Sequence, residues 1–401
     1  MRVLVANDGF ADAGGVQSYL DAVVSGLAMR GHDLAMLYLD AAPVAASSHT
    51  VEPMPWFSIS RDGAARTIET IRRWRPDVCF SHNMSALAVD RQLLSLAPVV
   101  KFMHGYFGTC VGGQKMFALP IARPCGRTFG AACLALYFPR RCGQLNVATL
   151  IRDYRWAHDQ RDLFNRYRAI VVASAHMKDE YVRNGADESR VHVNPLFSHH
   201  HESHDSTTGG QDLSVSFIGR MTTLKGGALL VRAVADASAT LGKPIELIMV
   251  GDGPQRASWE RLAARLRVRS TFVGWKSGEE RWKWLRRASL LAVPSVWPEP
   301  FGLVGLEAGA LGLPAIAFDV GGIREWLTPG ENGILVPGNP PRASAFAEGL
   351  AAALRRPEAL CAMREKAAAA ACRMSLDRHL DRLERILSRA EETDRADPAG
   401  R

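Results

Sequence analysis

The sequence predicts an α/β chain of two doubly wound domains. Three observations carry this reading. Short apolar runs alternate with amphipathic segments in both halves, a polar break separates the halves, and 401 residues exceed what one hydrophobic core usually holds. In the first half, the runs Val3–Ala6, Leu34–Leu39, Val78–Phe80, Val99–Met103 and Ile170–Ala173 read as buried parallel strands. Between the first two, Val16, Leu20, Val23, Val24 and Leu27 recur at helical spacing, and Gly31 ends the segment. The second half repeats the pattern. Its strands fall near Val215–Ile218, Leu247–Val250, Ser270–Val273, Leu290–Val293 and Pro314–Phe318, and its helices over Leu224–Ala239, Gln255–Leu266 and Ser277–Arg287. The run from Ser198 to Gly210 has no periodic apolar residue and reads as a linker. Its histidines, His199, His200, His201 and His204, could hold a metal only by ordering a polar tract, which costs chain entropy. The domains are therefore expected over residues 1–197 and 212–375, with 198–211 between them and a last helical segment over 376–401.

Charge narrows the partners. The formal net charge of +8 favours anionic ones, such as nucleotide sugars, acidic lipid headgroups or nucleic acid. Base-stacking motifs and a continuous basic groove are not evident, which argues against nucleic acid. Met1–Asn7 is too short an apolar run for a signal peptide, and no stretch reaches the eighteen or so apolar residues of a membrane span. A cytoplasmic protein is expected, with peripheral contact at an anionic inner membrane face as a further expectation. Seven cysteines, an odd number, argue against a disulfide framework. Cys79, Cys361 and Cys372 read as buried small apolar residues.

The most informative chemistry lies between Glu299 and Glu307. Pro298-Glu299-Pro300-Phe301-Gly302 follows the strand Leu290–Val293 and opens an apolar segment that stops at Gly312-Leu313-Pro314. That is strand, turn, helix and stop. A helix start there leaves amide N–H groups of Phe301, Gly302 and Leu303 without partners. A carboxylate can only accept hydrogen bonds, so two of them beside free amides suit sugar hydroxyls better than phosphate. Further along the chain, Arg220 and Lys225 stand at a strand end and helix start where two cations can neutralise a diphosphate. Gly14-Gly15 joins the first strand to the first helix, and glycines there let backbone approach a ligand. His104 closes the strand Val99–Met103, at the carboxyl edge where parallel sheets bind ligands.

The Glu-x7-Glu spacing with the Phe-Gly turn, the Arg-x4-Lys pair and the turn Gly321-Gly322-Ile323-Arg324-Glu325 resemble the signature of the retaining glycosyltransferases of family 4. The resemblance implies the GT-B fold, two facing Rossmann-like domains with a cleft between them, and a last helix that crosses back to the first domain. It implies a UDP- or GDP-sugar donor and a glycan or lipid-linked acceptor, in cell-surface polysaccharide or glycoconjugate synthesis. It also implies roles. Gly14 and Gly15 face the donor diphosphate, Arg220 and Lys225 stabilise it on departure, and the backbone beside Val273 and Trp275 faces the base. Glu299 holds the sugar hydroxyls with the amides of Phe301, Gly302 and Leu303, Glu307 binds the ribose, and His104 lies near the acceptor. No cofactor is required for catalysis, because cationic side chains replace a divalent ion. The rival readings are a sugar-nucleotide epimerase or hydrolase on the same fold, and a catalytically inactive nucleotide-sugar-binding protein.

Residues 105–143 depart from the plainer family pattern. Cys110, Cys125, Cys133 and Cys142 are interspersed there with Arg123, Arg127, Arg140 and Arg141. Four thiols can make a tetrahedral structural zinc site in a segment with little regular structure. The spacings lack close Cys-x2-Cys pairs, and Cys133 lies in the apolar run Ala131–Phe138, so core packing is the alternative. Beyond the insert, Arg152, Arg155, Arg161, Arg166 and Arg168 alternate with Tyr154, Trp156 and Phe164. That pattern suits an anionic membrane or a lipid diphosphate acceptor, or else a solvated basic helix.

Overall fold

The computed structural model describes residues 1–9, 15–39, 54–198 and 213–396. Gly14 and the histidines of the linker lie outside the described residues. The first domain is built on β1 (Arg2–Asn7), β2 (Asp33–Tyr38), β3 (Trp56–Ser58), β4 (Val78–Ser81) and β5 (Val99–Met103). A two-stranded antiparallel ribbon, β6 (Met116–Phe117) and β7 (Arg123–Pro124), follows in the insert. The strands β8 (Ala169–Val172) and β9 (Val191–Val193) complete a seven-stranded parallel sheet of order β3-β2-β1-β4-β5-β8-β9. In the second domain, β10 (Ser214–Ile218), β11 (Glu246–Val250), β12 (Ser270–Gly274), β13 (Leu290–Val293), β14 (Ala315–Asp319) and β15 (Gly333–Pro337) pair in parallel in the order β12-β11-β10-β13-β14-β15.

The central strands are apolar on both faces because helices cover both. Val3, Leu4, Val5 and Ala6 of β1 are fully buried between Leu34–Leu37 and Val78–Phe80. Registers such as Val3↔Leu34 and Val3↔Val78 are therefore fixed by packing. The strands missing from the sequence reading are short ones at or beside the sheet edges. Trp56–Ser58 and Val191–Val193 have three residues each, and Gly333–Pro337 is only partly buried. Gly333 is needed in that last strand, since a Cβ there would collide with the carbonyl oxygen of Ala315.

Two expectations need correction. The helix expected from Leu224 begins at Gly227, after a 3-10 turn over Thr223–Lys225. Gly226 takes φ 66° to make that bend, and a side chain there would strike the carbonyl of Pro294. Cys361 and Cys372 are exposed, whereas Cys79 is buried. The Ala-rich helix Pro357–Arg373 turns Leu360, Ala367, Ala370 and Ala371 inward. Cys361 and Cys372 each lie one position round from that face.

The last helix, Leu376–Ala396, packs against the first helix, Gly15–Met29, and against β4 and β5 of the first domain. Leu380, Leu383 and Leu387 enter its core, and Gly26 lies directly under Leu380. Arg30 bonds Asp381 and Glu384 at 2.7 Å each, and His32 Nε2 meets Glu384 at 2.7 Å. The burial is apolar, and these exposed or half-buried pairs set its register.

Beneath β4 and β5 lies a buried ion pair, Lys101 Nζ to Asp90 Oδ2 at 2.7 Å. Ser81 and Tyr167 donate to the same carboxylate at 2.7 and 3.0 Å. Removing one member strands the other charge in the core. Asp90→Ala should cost about 3–5 kcal/mol of first-domain stability. Denaturant unfolding followed by a first-domain probe would show this, and an unshifted midpoint would mean that water reaches the pair.

Candidate functional site

Each sheet reverses its winding between two strands, β1 and β4 in the first domain and β10 and β13 in the second. Loops leaving the carboxyl ends of such strands diverge and open a crevice. Arg220 and Lys225 follow β10, and Glu299 follows β13, so the second-domain switch point gathers them. Lys225 Nζ lies 2.7 Å from Glu299 Oε1. The same oxygen accepts from Ser295 Oγ at 2.5 Å and Trp297 Nε1 at 3.0 Å. Among the described residues no group donates to Oε2, although Glu299 is only 4% exposed. Three donors therefore fix the carboxylate by one oxygen and leave the other able to accept a further hydrogen bond. Sequence reading missed Ser295 and Trp297, because only the turn brings them to Glu299. Arg220 is exposed and has no carboxylate partner among the described residues.

The loop is set by close backbone packing. Gly322 N donates to Glu299 O at 2.7 Å. A Cβ on Gly321 would collide with the Glu299 backbone, and one on Gly322 with Pro300 O. The Gly-Gly turn thus forms the floor beneath Glu299. Gly302, at φ 86°, turns the chain into the helix Leu303–Ala310, and Trp326 Nε1 donates to Phe301 O at 2.8 Å. Phe301 is itself buried, so only its backbone can serve a ligand. The amides of Phe301, Gly302 and Leu303 have no acceptor among the described residues. One turn into that helix, Glu307 is buried and accepts from Arg281 Nη2 at 3.1 Å. Burial pushes its carboxyl above the usual range, against the pull of the guanidinium. Arg281 lies 4.0 Å from the Trp282 ring centroid and was not singled out from sequence. No motif marks it. Val273 lies on the edge strand β12, and Trp275 stands just beyond it with its ring exposed.

Across the crevice, His104 sits at the end of β5 with its ring 4.4 Å from that of Phe102. His104 Nε2 and His82 Nδ1 share a hydrogen bond of 2.9 Å. Below them His379 Nδ1 donates to Pro195 O at 2.8 Å, so its Nε2 accepts from Tyr19 Oη at 2.9 Å. Burial holds His82 well below its usual range and lowers His104 to about 3 and His379 to about 4. His82 and His379 escaped the sequence reading because a lone histidine carries no local signal. Two residues past His104, Tyr106 meets Trp297 edge-on at 6.3 Å, joining the His104 loop to the Glu299 loop. Glu325 Oε1 accepts from Ala175 N at 2.6 Å, at the start of the helix Ala175–Arg183. Gly15 begins the first helix, with no atom of the described residues within 4 Å of where a Cβ would stand.

The insert brings its four cysteines to one cavity of about 30 Å³, each as a free thiol. A second cavity, of about 350 Å³, is lined by Arg123, Arg127, Arg140, Phe117 and, from the second domain, Asn339. Arg123 and Arg140 stack on Phe117, 5.6 and 5.4 Å from its ring centroid. None of the three arginines has a carboxylate partner among the described residues. The aromatic residues of the next helix, Val147–Asp162, do not face outward as a membrane-facing reading requires. Trp156 Nε1 donates to Ser85 O at 2.7 Å, Tyr154 packs on Phe129, and Phe164, just beyond the helix, is in the core. Leu145, Val147 and Ile151 are exposed instead.

Two doubly wound domains with an anion-suited crevice at a switch point define a nucleotide-binding class of α/β protein. The comparisons name the family. Residues 13–197 match the family described as "Glycosyltransferase Family 4", and residues 202–370 match "Glycosyl transferases group 1". The chain belongs to the family 4 glycosyltransferases. It is 38% identical over 137 residues to a D-inositol 3-phosphate glycosyltransferase of Rhodococcus erythropolis (strain PR4 / NBRC 100887), covering 32% of this chain and 30% of that protein. A second such protein, from Rhodococcus opacus (strain B4), is 31% identical over 216 residues, 49% of this chain and 48% of the other. The chain thus spans a third to a half of the curated relatives it matches. Its fold is the GT-B fold. Anabaena Alr3699/HepE in complex with UDP and glucose superposes with a TM-score of 0.69 at 17% identity, over 97% of this chain and 99% of that one. The lipopolysaccharide outer core galactosyltransferase WaaB in its apo form gives 0.69 at 13% identity, over 96% and 99%.

The buried histidines generate a pH dependence. Folded, His379 and His104 stay neutral down to about 4 and about 3, whereas unfolded they protonate near 6.5. Below about 6.5 the unfolded chain therefore binds more protons, and stability is lost as pH falls toward 4. The melting temperature should drop across this window, and less so in His379→Gln. An equal drop in that variant would assign the acid sensitivity to other groups.

Proposed function

We propose that the protein is a retaining glycosyltransferase that moves a sugar from a nucleoside-diphosphate sugar to a phosphate-bearing, lipid-linked acceptor at an anionic membrane face. The observation that carries the donor half is the Lys225–Glu299 pair with the unpaired Arg220 and the open amides of Phe301, Gly302 and Leu303 beside it. Cations meet the diphosphate, Glu299 Oε2 accepts from sugar hydroxyls, and Glu307, held by Arg281, accepts from the ribose. Gly15, at the start of the first helix, approaches the diphosphate from the first domain, and the backbone beside Val273 and Trp275 receives the base. The structural neighbour bound to UDP and glucose supports a uridine donor. His104, neutral at ordinary pH, serves as a hydrogen-bonding group rather than a charge.

Three observations support the acceptor half. The cavity of Arg123, Arg127 and Arg140 suits a phosphate, since guanidinium groups bind phosphate in a fork. Leu145, Val147 and Ile151, with Arg152 and Arg155 beside them, form an apolar and basic start to the helix Val147–Asp162. No described helix is long and apolar enough to cross a membrane, and the contact proposed is a peripheral one. The two Rhodococcus relatives are named D-inositol 3-phosphate glycosyltransferases, a name that agrees with an anionic acceptor group.

Lys225→Ala removes a charged hydrogen bond to the diphosphate and should weaken UDP by about tenfold to a hundredfold in calorimetry. Unchanged affinity would remove Lys225 from the donor site. Arg123→Gln/Arg140→Gln should keep UDP affinity and cut transfer to phosphate-bearing acceptors. Val147→Asp/Ile151→Asp should abolish co-sedimentation with phosphatidylglycerol vesicles. If wild-type protein ignores such vesicles, the acceptor is a soluble glycan or glycoside phosphate. Release of free sugar with no transfer to any acceptor would favour the hydrolase.

A further inference from the structure

We propose that Cys110, Cys125, Cys133 and Cys142 bind one structural zinc ion that holds the insert, and with it the arginine cavity, in shape. The four residues come from different pieces of chain. Cys110 lies in the loop after β5, Cys125 at the end of the β6–β7 ribbon, Cys133 in the short helix Ala132–Leu136, and Cys142 in the turn that follows it. All four line the same small cavity. Single cysteines are ordinary small apolar residues, but core packing gives no reason for cysteines from four segments to line one small cavity. At about 30 Å³, the space is larger than one water needs.

The insert also needs a staple. Its regular structure amounts to a two-residue ribbon and a five-residue helix. Val111, Phe129 and Tyr137 form, with Leu150 and Ala157, a small core separate from the main one. No disulfide crosses the insert, and segments with so little core usually rely on a cross-link or a metal. The backbone already seats the thiols on bonded turns. Cys125 N donates to Lys115 O at 2.7 Å and Cys142 N to Tyr137 O at 2.9 Å. Gly112 packs directly on the carbonyl of Cys142, where any side chain would collide.

Charge fits as well. Zinc with four thiolates carries two net negative charges, and two cations, Lys115 and Arg127, stand on the cavity wall. Lys115 is buried, and its ammonium is fixed by Glu180 at 2.9 Å and by the Arg127 carbonyl. No three of the sulfurs lie within 4.8 Å of one another. Zinc–sulfur bonds of about 2.3 Å require the sulfurs to close to roughly 3.8 Å. Binding therefore contracts the cavity. Phe117, Arg127 and Leu136 line both this cavity and the arginine cavity, so the contraction is transmitted to the acceptor side.

The test uses the full-length protein and zinc itself. Elemental analysis should find about one zinc per chain, released by a thiol-specific mercurial. Cobalt replacing it should give the sulfur-to-metal absorption of four thiolates. Cys125→Ser/Cys133→Ser should lose the zinc and become open to protease within residues 105–143, while UDP binding, which rests on the second domain, persists and reports the fold. A wild-type chain that takes up no zinc from buffered solution overturns the proposal. So does iron in place of zinc, or zinc that survives in the cysteine variant and disappears in His158→Ala, whose His158, Asp159 and Asp162 are the closest-set ligand group among the described residues.

Discussion

Glu299 Oε1 accepts hydrogen bonds from Lys225, Ser295 and Trp297 at once, and the arrangement of the crevice depends on that crowded oxygen. The bond to Lys225 ties the loop after β10 to the loop after β13, the two segments that diverge at the switch point. It also aims a buried carboxylate. A buried charge with a partner and two neutral donors is tolerable, and without them it is expensive. The surrounding glycines follow from the same demand. Gly226 and the Gly321-Gly322 turn let two backbone segments approach the chain around Glu299 more closely than any side chain would allow.

The first domain meets this site through fewer contacts, and they differ in kind. Tyr106 touches Trp297, and Glu325 reaches the start of the helix Ala175–Arg183. The last helix adds a larger tie, because it leaves the second domain and buries leucines in the core of the first. Beneath His104 a stack of Tyr19, His82, Phe102 and His379 gives the cleft wall a rigid, neutral base. Within that stack Tyr19 bonds His379 and His82 bonds His104, while His82 Nε2 is buried with no hydrogen-bond partner among the described residues.

The insert lies outside the two parallel sheets. Arg123 and Arg140 stack on Phe117 beside the cavity and have no carboxylate partner among the described residues. Exposed Leu145, Val147 and Ile151 lie just past it in sequence. Basic and apolar groups are thus collected on the part of the first domain that departs from the plainer family pattern.

The alternation of apolar runs determined the two parallel sheets, since strands buried on both faces must be apolar throughout and helices between them must keep one apolar stripe. The Glu-x7-Glu spacing, Arg220 and Lys225 were legible for a related reason: turns and helix starts place nearby residues by local geometry. Short edge strands were not legible, because three residues with one exposed face carry too little pattern. Cys361 and Cys372 show the limit of composition, since a one-residue step round a helix decides between core and solvent. Only the tertiary structure could join Lys225 to Glu299, Arg281 to Glu307, His82 to His104 and four cysteines to one cavity. Those contacts link segments brought together by strand order and domain packing, and a hydrogen bond across such a distance in sequence leaves no periodic trace in either partner's neighbourhood.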